Sequence, residues 1–207
     1  MTNKNLNWLS WITEIQTIAQ NGLTFSQNDF DKERYSRLRE LAAEVAAYYS
    51  ENNLTKAKNL FLLEEGYATP KLDVRSFILH ENKLLLVRER VDNLWTLPGG
   101  WADVNESPSE AVIRETREET GFDVAAIHLL ALWDKLKHDH PPQWPHAYKC
   151  FFHCELLSGE ATPNLEISEV DFFAVDKLPP LSTHRVTQKQ ILRLYEHMFH
   201  STLTLFD

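Results

Sequence analysis

Over the first 65 residues, apolar side chains recur at intervals of three and four. The runs are Trp8, Trp11, Ile12, Ile15, Ile18; then Tyr35, Leu38, Leu41, Val45, Tyr49; then Leu54, Ala57, Leu60, Phe61. Such spacing keeps them on one face of a 3.6-residue turn and predicts three helices. The segment holds no proline and one glycine, Gly22. Breaks are expected at Asn21-Gly22, at Asn52-Asn53 and at Gly66, where residues tolerant of turn and left-handed conformations occur.

From Leu72 the pattern shortens to strand-like runs bounded by turn residues: 74–80, 84–88, 95–97, 124–133, 147–157 and 170–175. Two helical stretches interrupt them, 108–120 and 187–200. Strands mixed with helices in this order predict an α+β or α/β sandwich, with helices packed on a largely antiparallel or mixed sheet.

The densest chemistry lies in LPGGWADVNESPSEAVIRETREETGF, residues 97–122. Ser107 and Glu110 give a capping-box pattern, Pro108 stands at the favoured first helical position, and Gly121 is placed to end the helix. At about 100° per residue, Glu115, Glu118 and Glu119 fall in one arc with Ala111 and Val112. Carboxylates on the apolar side of a helix require a partner charge. A divalent cation is the simplest one, since hard ions such as Mg²⁺ take oxygen ligands, neutralise phosphate and lower the pKa of a bound water. The alternative is a solvated face: Glu110, Arg114 and Glu118 are also spaced for i, i+4 ion pairs.

The wider spacing decides between these readings. Gly100, five residues, Glu106, seven residues, Arg114-Glu115, two residues, Glu118-Glu119, one residue, Gly121 and then Phe122 resembles the Nudix box in full. Thr116 departs from it, standing where the family usually carries an aliphatic residue. The resemblance implies a Nudix α/β/α sandwich with a mixed sheet over 66–207, preceded by a small helical domain over 1–65. It implies Mg²⁺ or Mn²⁺ held by Glu115, Glu118 and Glu119 with the Gly100 carbonyl. Arg114 would orient the carboxylates and Glu106 would support the loop. The helical extension, with 66–71, Asp73, Arg75, the 98–103 run, 138–142 and 181–185, resembles the bacterial Nudix group that includes CDP-choline pyrophosphatase. On that resemblance the expected reaction is hydrolysis of CDP-choline to CMP and phosphocholine. ADP-ribose or a nucleotide sugar, a weak RNA-trimming activity and a non-catalytic ligand sensor are the alternatives.

Composition narrows the partners. With 30 acidic against 21 basic residues and a net charge of −9, the chain lacks the general positive field that gripping DNA or RNA requires. Local cations must therefore meet a diphosphate, and Arg75, Arg88 and Arg90 are the candidates, though structural ion pairs explain each equally well. Trp101 or Tyr67 could stack a base, His138, His140 and Lys137 could face substrate from a loop, and Glu166 or Glu169 could act as ligand or general base. Cys150 and Cys154 sit about 13 Å apart on an expected strand, beyond disulfide reach, so they read as buried thiols rather than a zinc site with His146 or His153. No run approaches the roughly 20 apolar residues of a membrane span, and the first ten residues lack a signal-peptide layout, so the expected location is the cytoplasm. The large apolar residues of the helical segment predict a homodimer.

Overall fold

A computed structural model of the chain describes residues 7–49, 64–141 and 143–207. The chain divides into two compact units, Met1–Thr69 and Pro70–Asp207, four residues beyond the break expected at Gly66.

In the first unit, α1 (Asn7–Phe25) and α2 (Asp29–Tyr49) are joined by a short connection in which the Asn28 side chain accepts the Phe30 N–H at 2.8 Å. The third expected helix, around Leu54–Phe61, and the Asn52-Asn53 break lie outside the described residues. The break expected at Asn21-Gly22 is absent, because α1 runs through it. Gly22 serves proximity instead: a Cβ there would stand 2.5 Å from the Tyr35 ring of α2. The faces also differ from the expected stripe. Ala42, Ala43, Ala46 and Ala47 of α2 are buried, whereas Leu38, Leu41, Val45 and Tyr49 are exposed.

The second unit is an α/β/α sandwich. Its strands are β1 (Lys71–Phe77), β2 (Leu79–His80), β3 (Lys83–Glu89), β4 (Trp95–Thr96), β5 (Phe122–Asp134), β6 (Ala147–Gly159), β7 (Ile167–Ala174) and β8 (Leu205–Phe206). The helices are α3 (Pro108–Thr120) and α4 (Gln188–His200). One mixed sheet has the order β1-β6-β5-β8, with β1 parallel to β6 and β5 antiparallel to it. In the other, β3 pairs antiparallel with β2, β4 and β7.

Alternation along the strands sends neighbouring side chains to opposite faces. Val74, Leu85, Cys150 and Phe152 pack with Ala111 and Val112 of α3; Phe77, Leu84, Leu86, Trp133 and Phe151 pack with Ile191 and Leu194 of α4. Thr116, the departure from the box pattern, is wholly buried in α3 and its hydroxyl donates to Val112 O, so the polar atom enters the core already satisfied. Both cysteines are free and buried, and burial pushes their thiols up to about 11 and about 12.

Candidate active site

The site begins with a squeezed loop. Residues 98–102 run beside β1, with Ser76 N–H donating to Pro98 O, Val74 N–H to Gly100 O and Ala102 N–H to Leu72 O. On the other side stands α3. A Cβ on Gly99 would meet Val74 O at 2.1 Å, and one on Gly100 would meet Glu115 Oε2 at 2.7 Å. The Gly-Gly pair is therefore what the passage between strand and carboxylates demands, and Gly99 in addition has a φ of 134°.

Helix α3 is fixed at both ends as its sequence predicts. Ser107 Oγ accepts the Glu110 N–H, Glu110 returns the bond to the Ser107 N–H at 2.8 Å, and Gly121 closes the helix at φ 79°. The helix therefore presents its glutamates in a set rotation. Glu119 is buried, and one of its oxygens accepts the Gly99 N–H at 2.7 Å. Glu115 is half-buried against Gly100, and Glu118 is exposed.

Arg114 ties these groups to the loop. It reaches Glu106 at 2.7 and 3.0 Å, Glu115 at 2.9 Å and Glu118 at 3.0 Å. Glu106 also accepts the Asp103 N–H at 2.7 Å, and its carboxyl is held down to about 2, mainly by Arg114. Glu106 thus supports the loop. As the side chains stand, no three His, Cys, Asp or Glu groups among the described residues converge ready for a metal. Arg114 draws on Glu115 and Glu118, and Gly99 holds Glu119.

Electrostatics show what the arrangement lacks. Burial, with Glu89 and Glu115 adding repulsion, pushes the Glu119 carboxyl up to about 8 despite the pull of Arg75 and the Gly99 N–H. Burial also raises Glu115 and Glu89. Several carboxylates with too little positive charge are a donor set that fits a hard divalent cation, and all the atoms on offer are oxygens. Gly100 O, one of the expected ligands, already accepts from Val74 at 2.8 Å and serves the loop–strand pairing.

Several expected substrate contacts are committed elsewhere. Arg75 is buried in a two-pronged contact with Asp73, at 2.8 and 3.2 Å, and donates to Leu97 O; it is a counter-charge within the site floor rather than a group facing solvent. Arg88 pairs with Glu169 at 2.6 Å and donates to Asn93 O on the exposed side of β3. Arg90 donates to Asn164 O. His138 packs on Trp133 in a tilted arrangement with centroids 4.6 Å apart and meets Asp207 at 3.1 Å, so it holds the segment around Asp207. Trp101 remains 46% exposed next to the loop, with its carbonyl near Arg114. Tyr67 lies against Phe25 in the first unit. Glu166 is exposed, and its charge is felt by Glu89.

Sequence reasoning missed a cationic group beside the acids. Lys149 Nζ lies 2.9 Å from Asp73, Lys135 is buried with Gln143 as acceptor, and Arg185 reaches Glu89 at 2.8 Å and Asp92 at 3.1 Å. The signal for Lys149 was a lysine inside the largely apolar run 147–152, a placement rarely tolerated without a partner.

Residues 69–195 match the family model for the NUDIX domain. The chain belongs to the Nudix family. Residues 7–61 match a model described as a UDP-X-like, N-terminal oligomerisation domain. Over its full length this Nudix chain is 43% identical to a Bacillus subtilis (strain 168) protein named "Putative ADP-ribose pyrophosphatase YjhB", covering all of both sequences. Among solved structures, an ADP-ribose pyrophosphatase from Streptococcus suis 89-1591 is 43% identical with a TM-score of 0.61, over 67% of this chain and 100% of that one. A UDP-X diphosphatase is 35% identical with a TM-score of 0.64, over 99% of this chain and 100% of that one. The chain is thus a Nudix pyrophosphohydrolase, an enzyme acting on a nucleoside diphosphate derivative. CDP-choline, the substrate expected from the sequence, gains no support from these relatives, whose names carry ADP-ribose and UDP-X. No described helix is long and apolar enough to cross a membrane.

Proposed function

We propose that this Nudix enzyme hydrolyses the diphosphate bond of ADP-ribose or a nucleotide sugar, releasing a nucleoside monophosphate and a sugar phosphate. The observation that carries the reading is the juxtaposition, within one unit, of carboxylates short of positive charge (Glu89, Glu115, Glu119) and cations gathered around a single aspartate (Arg75, Lys135, Lys149 about Asp73). A diphosphate between them would have its charge met by a divalent cation on the carboxylates from one side and by the lysines from the other.

Glu115, Glu118 and Glu119 would hold Mg²⁺ or Mn²⁺, which supplies an acidified water and neutralises phosphate oxygens. Arg114 holds Glu115 and Glu118 in place through the contacts above. Buried Arg75 balances Glu119, and Glu166, an exposed carboxylate whose charge reaches Glu89, is available to take a proton from the attacking water. Trp101 offers an exposed ring on which a base can stack.

The test is turnover of a panel containing ADP-ribose, UDP-sugars, CDP-choline and a short RNA, with Mg²⁺ or Mn²⁺ and with chelator. Metal-dependent release of AMP or UMP with a sugar phosphate is the expected result. A preference for CDP-choline would overturn the substrate, and equal turnover in chelator would overturn the role of the glutamates.

A further inference from the structure

The α4 side of the mixed sheet changes character along its length. Phe77 and Phe151 are core, but strand register brings Arg75, Asp73 and Lys149 onto the same face farther along. Asp73 pairs with Lys149 across β1–β6, and Lys149 pairs with Trp133 across β6–β5. Lys135 lies one step past the end of β5, 7% exposed, and Lys149 is wholly buried.

These lysines are short of acceptors. Asp73 answers both cations, taking two contacts from Arg75 at 2.8 and 3.2 Å and standing 2.9 Å from Lys149 Nζ, so one carboxylate is shared between two buried positive groups. Lys135 donates to a neutral oxygen, Gln143 Oε1, of an exposed residue. Burying ammonium groups without full compensation is costly, and here burial lowers Lys149 to about 7 and Lys135 from its ordinary value. Beside them His140 Nδ1 lies 2.7 Å from Thr183 O, which places the ring proton on Nδ1. Its Nε2 is a bare lone pair, buried and without a donor among the described residues, and the ring is neutral in the shared field of Lys149 and Lys135. The cluster therefore wants an oxyanion and a hydroxyl donor together.

We infer that Lys135, Lys149 and His140 form the subsite for the sugar-phosphate half of the substrate. In this subsite Lys135, backed by the charge of Lys149, takes a phosphoryl oxygen in place of Gln143, and His140 Nε2 accepts from a sugar hydroxyl. The inference rests on the pyrophosphatase reading above and deepens it. Phosphocholine would set a cation against the lysines and offer His140 no hydroxyl, so the subsite selects sugars by charge and by donor.

The full chain is titrated calorimetrically with ribose 5-phosphate and with inorganic phosphate, both in chelator, so that binding is read without turnover. Saturable binding of ribose 5-phosphate is expected, weakened about tenfold in Lys135→Met, the scale of one charge-assisted hydrogen bond. His140→Ala should lose the preference for ribose 5-phosphate over phosphate while still binding both. In kinetics with metal, Lys135→Met should raise KM for ADP-ribose about tenfold with little change in kcat. Replacing a buried charge by an apolar chain of similar length preserves folding, and a thermal melt checks it. No binding by the wild type, or equal binding by wild type and Lys135→Met, overturns the subsite. Ribose 5-phosphate bound as expected by a protein that hydrolyses no sugar-linked nucleoside diphosphate would overturn the proposed function and leave the subsite standing.

Discussion

Glu119 shows how one residue couples stability to chemistry. It is 7% exposed, accepts one backbone N–H, and ionises only at about 8 because burial outweighs the pull of Arg75. Glu119→Gln should therefore cut kcat at least a hundredfold yet leave the metal-free protein as stable as wild type or more so at pH 8, since the neutral isostere avoids a buried charge. Paired kinetics and melts in chelator check both halves, and a loss of stability would mean that the carboxylate is structural. The pH dependence follows by linkage. Between its ordinary value of 4.5 and about 8, Glu119 holds a proton in the folded chain that it has lost in the unfolded one, so metal-free stability falls as pH rises through that window. Lys149, lowered to about 7, contributes the opposite slope above pH 7. His140, lowered to about 4, contributes a rise up to its ordinary 6.5, so Glu119 is read by difference. In chelator the melting temperature of Glu119→Gln should gain on that of the wild type from pH 5 to 7, and a gap that stays constant over that range would contradict the charge assignment. The glutamates of this site were legible because helical spacing places them without any tertiary information. Lys135 and Lys149 were not, because only the parallel pairing of β1 with the distant β6 sets Lys149 beside Asp73.

Helix α3 was readable as an element almost to the residue, since its start and stop are local chemistry: Ser107 and Glu110 satisfy each other's backbone donors, and Gly121 supplies a left-handed φ of 79°. Removing the cap by Ser107→Ala should cost about 1 kcal/mol of stability, measured by denaturant unfolding, while Mg²⁺-dependent turnover persists because no glutamate moves off the helix face. A tenfold loss of kcat would show that the cap sets the rotation of the carboxylates as well as the helix boundary. Helix α1 was misread by the same local logic. Asn21-Gly22 has the composition of a stop, but the glycine is there to admit Tyr35, and the missing Cβ is a packing requirement of α2. Local rules identify residues able to end a helix; contacts from elsewhere in the chain decide whether they do.

For the molecule as a whole, the first unit presents apolar surface that a single chain in water has reason to cover. Trp11 is 60% exposed and Phe30 70% exposed, and Ile18, Leu38, Leu41 and Val45 are exposed with them, while small alanines fill the inner face of α2. Burial of such side chains contributes roughly 25 cal/mol per Å² removed from water, so pairing these faces offsets the loss of freedom on association. The match of residues 7–61 to an oligomerisation domain agrees with that economy of surface. Leu38 and Leu41 stand where i, i+3 spacing puts them on one exposed side of α2, so the double substitution Leu38→Glu with Leu41→Glu adds like charges to a chain already at −9 and should separate the copies. Sedimentation velocity should then show the mass of one 24.1 kDa chain where the wild type shows a multiple of it. An unchanged multiple would place the interface elsewhere, and a single-chain mass for the wild type would remove the need for one.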